Sequence, residues 1–425
     1  MRIAVIGSGI AGLASAWWLD GEHEVTLYEA NDYLGGHTHT HAVQVDGQAL
    51  AVDTGFIVFN PLHYPLLTAL FAELGVASQP TTMSFSVHSE RSGLEYNATS
   101  LDGLFCQRRN LASPRFWGML ADLRRFYRDA PALLAGGDGP TLGDYLQAGR
   151  YGDAFVQEHL LPMASALWSS PTAQVMAFPA RYLVQFMANH QMLQVAGRAP
   201  WRVVQGGSAR YVDALRARWR VHERLECPVH AVERLPWGAL VHSAAGTEGY
   251  DQVILACHSD QALDLLHDAD ARERAVLGAI RYQPNEAVLH TDARLLPRNR
   301  KAWAAWNAHV PRDPAAPCTV SYCMNLLQGL PTRTPLVVTL NRSEAIDPAC
   351  VLRRLRYAHP VHDHAAVRAQ QRWHDIQGRR HTWFAGAYWG WGFHEDGIRS
   401  ARRVVDALQA QAQGDGLPLH EAVTA

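Results

Sequence analysis

Apolar positions along this chain fall into distinct periods. Residues 3–6 form an unbroken apolar run, the pattern of a strand buried on both faces. The run breaks into Gly7-Ser-Gly9-Ile-Ala-Gly12, and residues 13–19 then carry helix-compatible spacing. A second short strand pattern, residues 24–28, ends at the acid Glu29. Residues 61–76 read as a helix beginning at Pro61 and ending at Gly75. Residues 101–200 carry long helical patterns rich in aromatics, among them Phe116, Trp117, Phe126, Trp168 and Phe186. Thr141 is a candidate N-cap for a helix over 142–146. Past the Gly206-Gly207 turn come a helix over 211–219, a short strand near Val229 and a strand over 252–256. Residues 285–292 and 334–341 read as strands of a second sheet. Residues 397–411 form an amphipathic helix with Ile398, Ala401, Val404, Val405 and Leu408 on one side.

The opening strand, turn, helix, strand and acid belong together physically. Gly7 permits a tight turn, Gly9 lets a pyrophosphate approach the backbone, and Gly12 lets the helix pack close on the strand. The amides at the helix start, Ile10 and Ala11, and the helix dipole favour phosphate there. Glu29, with Ala30 behind it, lies about twenty residues past the turn, where an acid accepts ribose hydroxyls and disfavours a 2′-phosphate. The expected ligand is therefore FAD or NAD rather than NADP. Pieces of this domain recur at the start, middle and end of the chain: 1–60, 200–280 and 376–425. Segments 61–199 and 281–375 would form a second, substrate domain. The expected fold is α/β, a doubly wound parallel sheet of Rossmann type with an inserted α+β domain. A cofactor domain interrupted in this way favours a flavoprotein.

Bulk composition narrows the partners. The 425 residues carry a net charge of −2, which argues against nucleic acid. No apolar run reaches the ~18 residues of a membrane span, and the N-terminus lacks the basic region of a signal peptide. The expectation is a cytoplasmic protein, with peripheral contact at the inner membrane face left open. Six cysteines without a CxxC pair read as reduced thiols, and Cys318 and Cys323 would face opposite sides of a strand. The single lysine is Lys301. His37, His39 and His41 would share one strand face, and His359, His362 and His364 are similarly close. Either set could bind zinc or iron, but no carboxylate or cysteine near the first completes a set and Pro360 breaks the spacing of the second, and no metal is expected.

Several motifs resemble the flavin containing amine oxidoreductase superfamily, which includes amine oxidases and carotenoid-type desaturases. They are Tyr33-Leu-Gly35-Gly36-His37, Val52-Asp53-Thr54-Gly55, Gln205-Gly206-Gly207, Cys227-Pro228-Val229 and Phe384-Ala385-Gly386-Ala387. The resemblance implies non-covalent FAD. It places Gly35, Gly36 and His37 near phosphate, Val229 near adenine, and Asp396, Gly397 and Ile398 at the flavin. His37 stands where many members carry arginine, and Ala387 where they carry an acid. A narrower set is Gly55-Phe-Ile-Val-Phe-Asn60, Met83–Ser86, Asn285–His290 and Gly392-Phe-His-Glu-Asp-Gly397. It resembles FAD-binding oxidoreductases similar to the N-terminal half of plant cyclopropane fatty acid synthases. That implies a lipid acyl substrate and a lipid methyltransferase as partner. By the same analogy, Trp391 and Phe393 wall the substrate side of the ring. His394, just before a helix aimed at the flavin, is the acid–base candidate with Glu395 beside it. The strand that bears an oxygen-assisting lysine in many members has none here. The expected activity is hydride transfer between flavin N5 and an apolar acyl substrate. An amine oxidase, or a catalytically silent flavin-binding accessory subunit, is the alternative.

Overall fold

The computed structural model describes residues 1–137, 139–194, 197–314 and 316–413. Its first strand, β1 (Arg2–Ile6), is buried on both faces, as the unbroken apolar run requires. Ile3 and Val5 join one apolar cluster; Ala4 and Ile6 join another across the sheet. Helix α1 (Ile10–Leu19) returns over one face, and β2 (Glu24–Tyr28) pairs parallel to β1. Strands 222–224, 252–255 and 382–384 complete a five-stranded parallel sheet, with β2 and β1 between the first and second of these. Strands distant in sequence thus build one sheet, because each buries an apolar run that helices on both faces must cover.

A hairpin of β3 (Thr40–Val45) and β4 (Gln48–Asp53) follows. Helix α2 (Pro65–Leu74) starts at Pro65, later than the sequence pattern suggests. The Asn60 side-chain oxygen accepts the His63 amide and closes a turn there, so proline enters the helix only at its first position. Gly75 ends α2 with φ of +69°. The aromatic block that follows is helical, including α3 (Pro114–Asp129) and α4 (Ala180–Asn189). The Thr141 hydroxyl caps helix Leu142–Ala148 by accepting the Asp144 amide. Phe126, Phe155, Phe178 and Phe186 are fully buried in the cluster these helices share.

A seven-stranded mixed sheet runs in the order 351–360, 282–290, 337–340, 319–323, 306–310, 85–89, 95–97. The short strand expected near Val229 is present. It spans Val229–Leu235 in a separate three-stranded antiparallel sheet, and His222–Arg224 takes the parallel edge. The last helix, α5 (His394–Gln413), starts three residues before the expected Gly397. Asp396 reaches back to accept the Phe393 amide, half of a capping box, and so draws His394 and Glu395 into the first turn. No helix among the described residues is long and apolar enough to cross a membrane.

Candidate functional site

The glycine turn separates two kinds of need. A Cβ on Gly12 would lie 1.9 Å from the Gly7 carbonyl oxygen, and one on Gly7 (φ +99°) would meet the backbone of Ala256 and Cys257 at 3.0 Å. Both glycines serve close packing of α1 on β1 and its neighbour strand. Gly9 is different: nothing lies within 4 Å of its Cβ position. Its open side is where an incoming group would approach the amides of Ile10 and Ala11. Gly35 and Gly36, both at positive φ, fold the following loop over the turn, so that a Cβ on Gly36 would be 3.1 Å from the Gly9 Cα.

Glu29 is buried at the end of β2. One carboxylate oxygen accepts the Ser8 amide (3.1 Å) and hydroxyl (2.5 Å); the other accepts the Asn31 amide (2.9 Å) and side-chain nitrogen (2.7 Å). Asn31 is exposed and is the partner that a ribose hydroxyl would replace. The Cys227 and Glu226 amides donate to the Glu29 and Asn31 carbonyls, which brings Val229 and Ala30 to this end of the site.

At the other end α5 meets α1. A Cβ on Gly397 would be 2.7 Å from Ile10 Cγ2, so two helix N-termini converge on one interior. Each brings its positive dipole end to that interior. Ile398 is fully buried behind them. The imidazole of His394 stacks on Phe56 (3.7 Å between centroids, 17°), and its Nε2 lies 3.0 Å from the Thr38 hydroxyl, itself 2.6 Å from the Tyr211 hydroxyl. Burial holds the His394 pKa well below the usual histidine value, with His37 adding to the effect. His394 is therefore held in its neutral form.

Two acids expected at the chemistry serve the backbone instead. The Glu395 carboxylate accepts the amides of Leu66 (3.0 Å) and Leu67 (3.1 Å) and so caps α2. Both its oxygens are engaged there, and burial raises its pKa. Asp396 accepts the amides of Trp391 (3.1 Å) and Phe393 (3.0 Å), and burial raises its pKa to about 6. Its carboxylate holds the loop and also accepts from the Arg399 guanidinium at 3.3 Å.

Between the two ends lies a cluster of histidine and tyrosine rings. His37, His258, His359, Tyr282 and Tyr357 lie deep in the protein yet keep accessible faces. The His37 ring is 5.0 Å from Tyr357, 5.3 Å from His359 and 6.2 Å from His258. Its Nε2 is buried without a partner, as is the Tyr388 hydroxyl. Burial pushes His37 and His258 down to about 4 and His359 to about 3, so all three are neutral. His39 turns away and stacks on Tyr33 at 4.0 Å. Among the described residues no group of three or more His, Cys, Asp or Glu is arranged to hold a metal ion.

The loop that carries Trp391 and Phe393 packs against an aromatic surface. Phe393 stacks on Phe186 at 5.2 Å, Trp391 lies edge-on to Phe186 at 5.9 Å, and His190 stacks on Phe186 at 4.1 Å. The Trp168 indole donates to the Trp391 carbonyl (3.1 Å) and the Tyr182 hydroxyl to the Gly390 carbonyl (2.9 Å), fixing the loop. Sequence reasoning missed Phe186 and His190 as site residues, although their spacing of four puts both on one face of α4. It also missed Phe56 and Thr38, which hold His394. Lys301 is far from this chemistry: it is exposed and paired with Asp102 at 2.9 Å.

The open Gly9 side, the two converging helix ends and the unpartnered His37 nitrogen and Tyr388 hydroxyl fit an elongated, phosphate-bearing group such as FAD. The comparisons with known proteins agree. The family model "Flavin containing amine oxidoreductase" matches residues 10–335, and the chain belongs to that family. It is an FAD-dependent oxidoreductase of the amine oxidase superfamily. A zeta-carotene desaturase of Synechocystis sp. is 39% identical over 71 residues, 16% of this chain and 14% of that protein. An L-amino-acid oxidase of Pseudechis australis is 45% identical over 47 residues, 11% of this chain and 9% of that protein. The matched stretches thus cover only a small part of these curated relatives. Among solved structures, cyclohexylamine oxidase from Brevibacterium oxydans IH-35A has a TM-score of 0.69 at 17% identity, covering 97% of this chain and 99% of that one. A fatty acid isomerase from P. acnes that produces CLA has a TM-score of 0.67 at 16% identity, covering 95% and 98%. At these identities the likeness is one of fold.

Proposed function

We propose that this member of the flavin containing amine oxidoreductases moves a hydride between FAD and a long apolar substrate of the lipid acyl type. The carrying observation is the wall of Phe186, Trp391 and Phe393, which belongs to one apolar cluster with the aromatic helices. Glu395 and Asp396, the acids at this loop, are committed to backbone amides and leave no carboxylate there for an ammonium group. That favours an apolar chain over an amine. Bound FAD would supply the hydride chemistry at its N5. The protein's share is to hold the chain against the ring, exclude water, and offer the neutral His394 imidazole for the proton that leaves the neighbouring carbon. The names of a carotene desaturase and of a structural neighbour, a fatty acid isomerase, favour a long apolar substrate. The resemblance to the cyclopropane synthase half extends the reading to a lipid methyltransferase as partner.

Anaerobic titration with candidate acyl lipids and amines tests this directly. Bleaching of the flavin absorbance by lipids alone is the expected outcome; bleaching by an amine alone would replace the reading with an amine oxidase. No bleaching by any candidate, with tight binding of a purified lipid methyltransferase, would favour a silent accessory subunit. Strand Tyr282–His290 carries no lysine, so the reduced enzyme should reoxidise slowly in air. Stopped-flow mixing with oxygen at a rate typical of lysine-bearing oxidases would remove that part of the proposal.

A further inference from the structure

One surface feature lies outside the site and is used by none of the chemistry above. Seven large apolar side chains are exposed among the described residues, and three of them, Leu101 (76% exposed), Leu111 (52%) and Trp117 (50%), fall within one short stretch. They are physically joined. The Trp117 indole donates to the Leu111 carbonyl at 2.9 Å, and its ring lies 5.6 Å from Phe105, whose amide donates to the Leu101 carbonyl. Asp102 bridges the Arg108 guanidinium (2.5 Å) and the Lys301 ammonium (2.9 Å), and both of those cations are more than half exposed. Residues 101–117 carry three arginines against one aspartate, with Arg115 paired to Glu158 and Asp153, and 298–301 add two arginines and the single lysine, in a chain whose net charge is −2.

Exposed leucine and indole set among cations is the composition of a surface that sits in the headgroup layer of a membrane. The rings and leucines enter the acyl boundary and the cations meet anionic lipid. We propose that the face formed by residues 101–117 and 298–301 docks this protein on an anionic lipid surface. The alternative occupant, an acidic protein, would leave the exposed leucines without a reason. The placement has a consequence. The apolar cluster beneath the patch contains Phe105 and Phe116 and continues through Phe186 to the packed rings of Trp391 and Phe393. The face that meets lipid is thus the outer side of the body that forms the substrate wall. The docking itself does not rest on the substrate assignment.

The test uses the FAD-loaded full chain and sedimentation with two kinds of vesicle, phosphatidylcholine alone and an equal mixture with phosphatidylglycerol. The protein should sediment with the mixed vesicles, less with the neutral ones, and less again as salt is raised. The double variant Leu111→Ser/Trp117→Ser should bind at least tenfold more weakly, with flavin spectrum and Tm close to wild type because both side chains are exposed. Arg108→Glu/Lys301→Glu should lose the preference for anionic lipid. Absence of wild-type binding, or equal binding by the Leu111/Trp117 variant, overturns the proposal. Binding to soluble polyglutamate as tightly as to vesicles would mark a surface for acidic protein and would overturn it too.

Discussion

The glycine turn at residues 7–12 and the loop at residues 388–396 come from opposite ends of the chain and meet where Gly397 touches Ile10. They are built on different principles. The turn is nearly all backbone: positive φ at Gly7, a carbonyl pressed against Gly12, open space at Gly9, and one acid, Glu29. The loop is nearly all side chain. Its carboxylates are spent on amides, its rings lean on α4, and its histidine is clamped between Phe56 and Thr38. A backbone-made site recognises what all dinucleotides share. A ring-made site can change with its substrate while the cofactor end stays fixed.

The sharpest way to break this comparison is within the turn. Gly12→Ala places a methyl group 1.9 Å from a backbone oxygen and should destabilise the fold by roughly 3 kcal/mol or more. Gly9→Glu meets nothing within 4 Å of its Cβ, so the chain should fold but fill the cofactor's approach. Thermal melts and flavin content separate the two. Gly12→Ala should give little folded protein, and Gly9→Glu a folded, colourless one. The released wild-type cofactor should be FAD that passes an ultrafiltration membrane after denaturation. A yellow Gly9→Glu variant would sink the reading of the open side.

In the loop the largest effect should be kinetic. If His394 takes the proton, His394→Ala should lower the rate of flavin reduction by roughly 10²-fold while FAD content holds. The rate should not follow an imidazole ionisation near 6.5, because burial keeps this ring neutral. Reduction at the wild-type rate, or loss of FAD, would place His394 with Phe56 and Thr38 as structure.

The same contrast explains what could be read in advance. Strand, turn, helix and acid in residues 3–29 follow from local backbone chemistry, and the structure has them within a few residues of their expected bounds. Phe186 and His190 could not be tied to Trp391 and Phe393, because nothing in spacing links positions two hundred residues apart. Glu395 looked like chemistry because the amides it caps, at Leu66 and Leu67, belong to another part of the chain. The depressed histidines followed no motif at all; their shift comes from burial that only the fold creates.

Buried histidines predict an acid weakness. Nine imidazoles, His37, His258 and His359 among them, are pushed by burial to about 3 or 4. In the unfolded chain they return to about 6.5, so the unfolded state binds more protons and stability falls as pH drops through the window from about 6.5 to about 4. Asp53 and Asp396, lifted by burial to about 6, and Asp260 and Glu395, also raised by burial, act in the opposite sense but are fewer. Tm should drop by several degrees from about pH 7.5 to about pH 5, and His359→Gln should shrink the drop. A flat Tm over that range would mean that these rings are solvated.

The smallest effect sharpens the comparison from the loop side. Glu395 sits beside His394 in sequence, yet both its oxygens accept amides at the start of α2. Glu395→Gln keeps the shape but can offer only one acceptor, and it removes a negative charge from a helix N-terminus. The expected loss is about 1 kcal/mol of stability. Flavin reduction should keep its wild-type rate and pH profile, because the carboxylate touches neither the clustered rings nor His394. The measurement pairs a melt with single-turnover reduction. Lower Tm with unchanged kinetics assigns Glu395 to the scaffold. An unchanged Tm with slower reduction would return it to the chemistry and make the loop, like the turn, a site whose charged group works on the ligand.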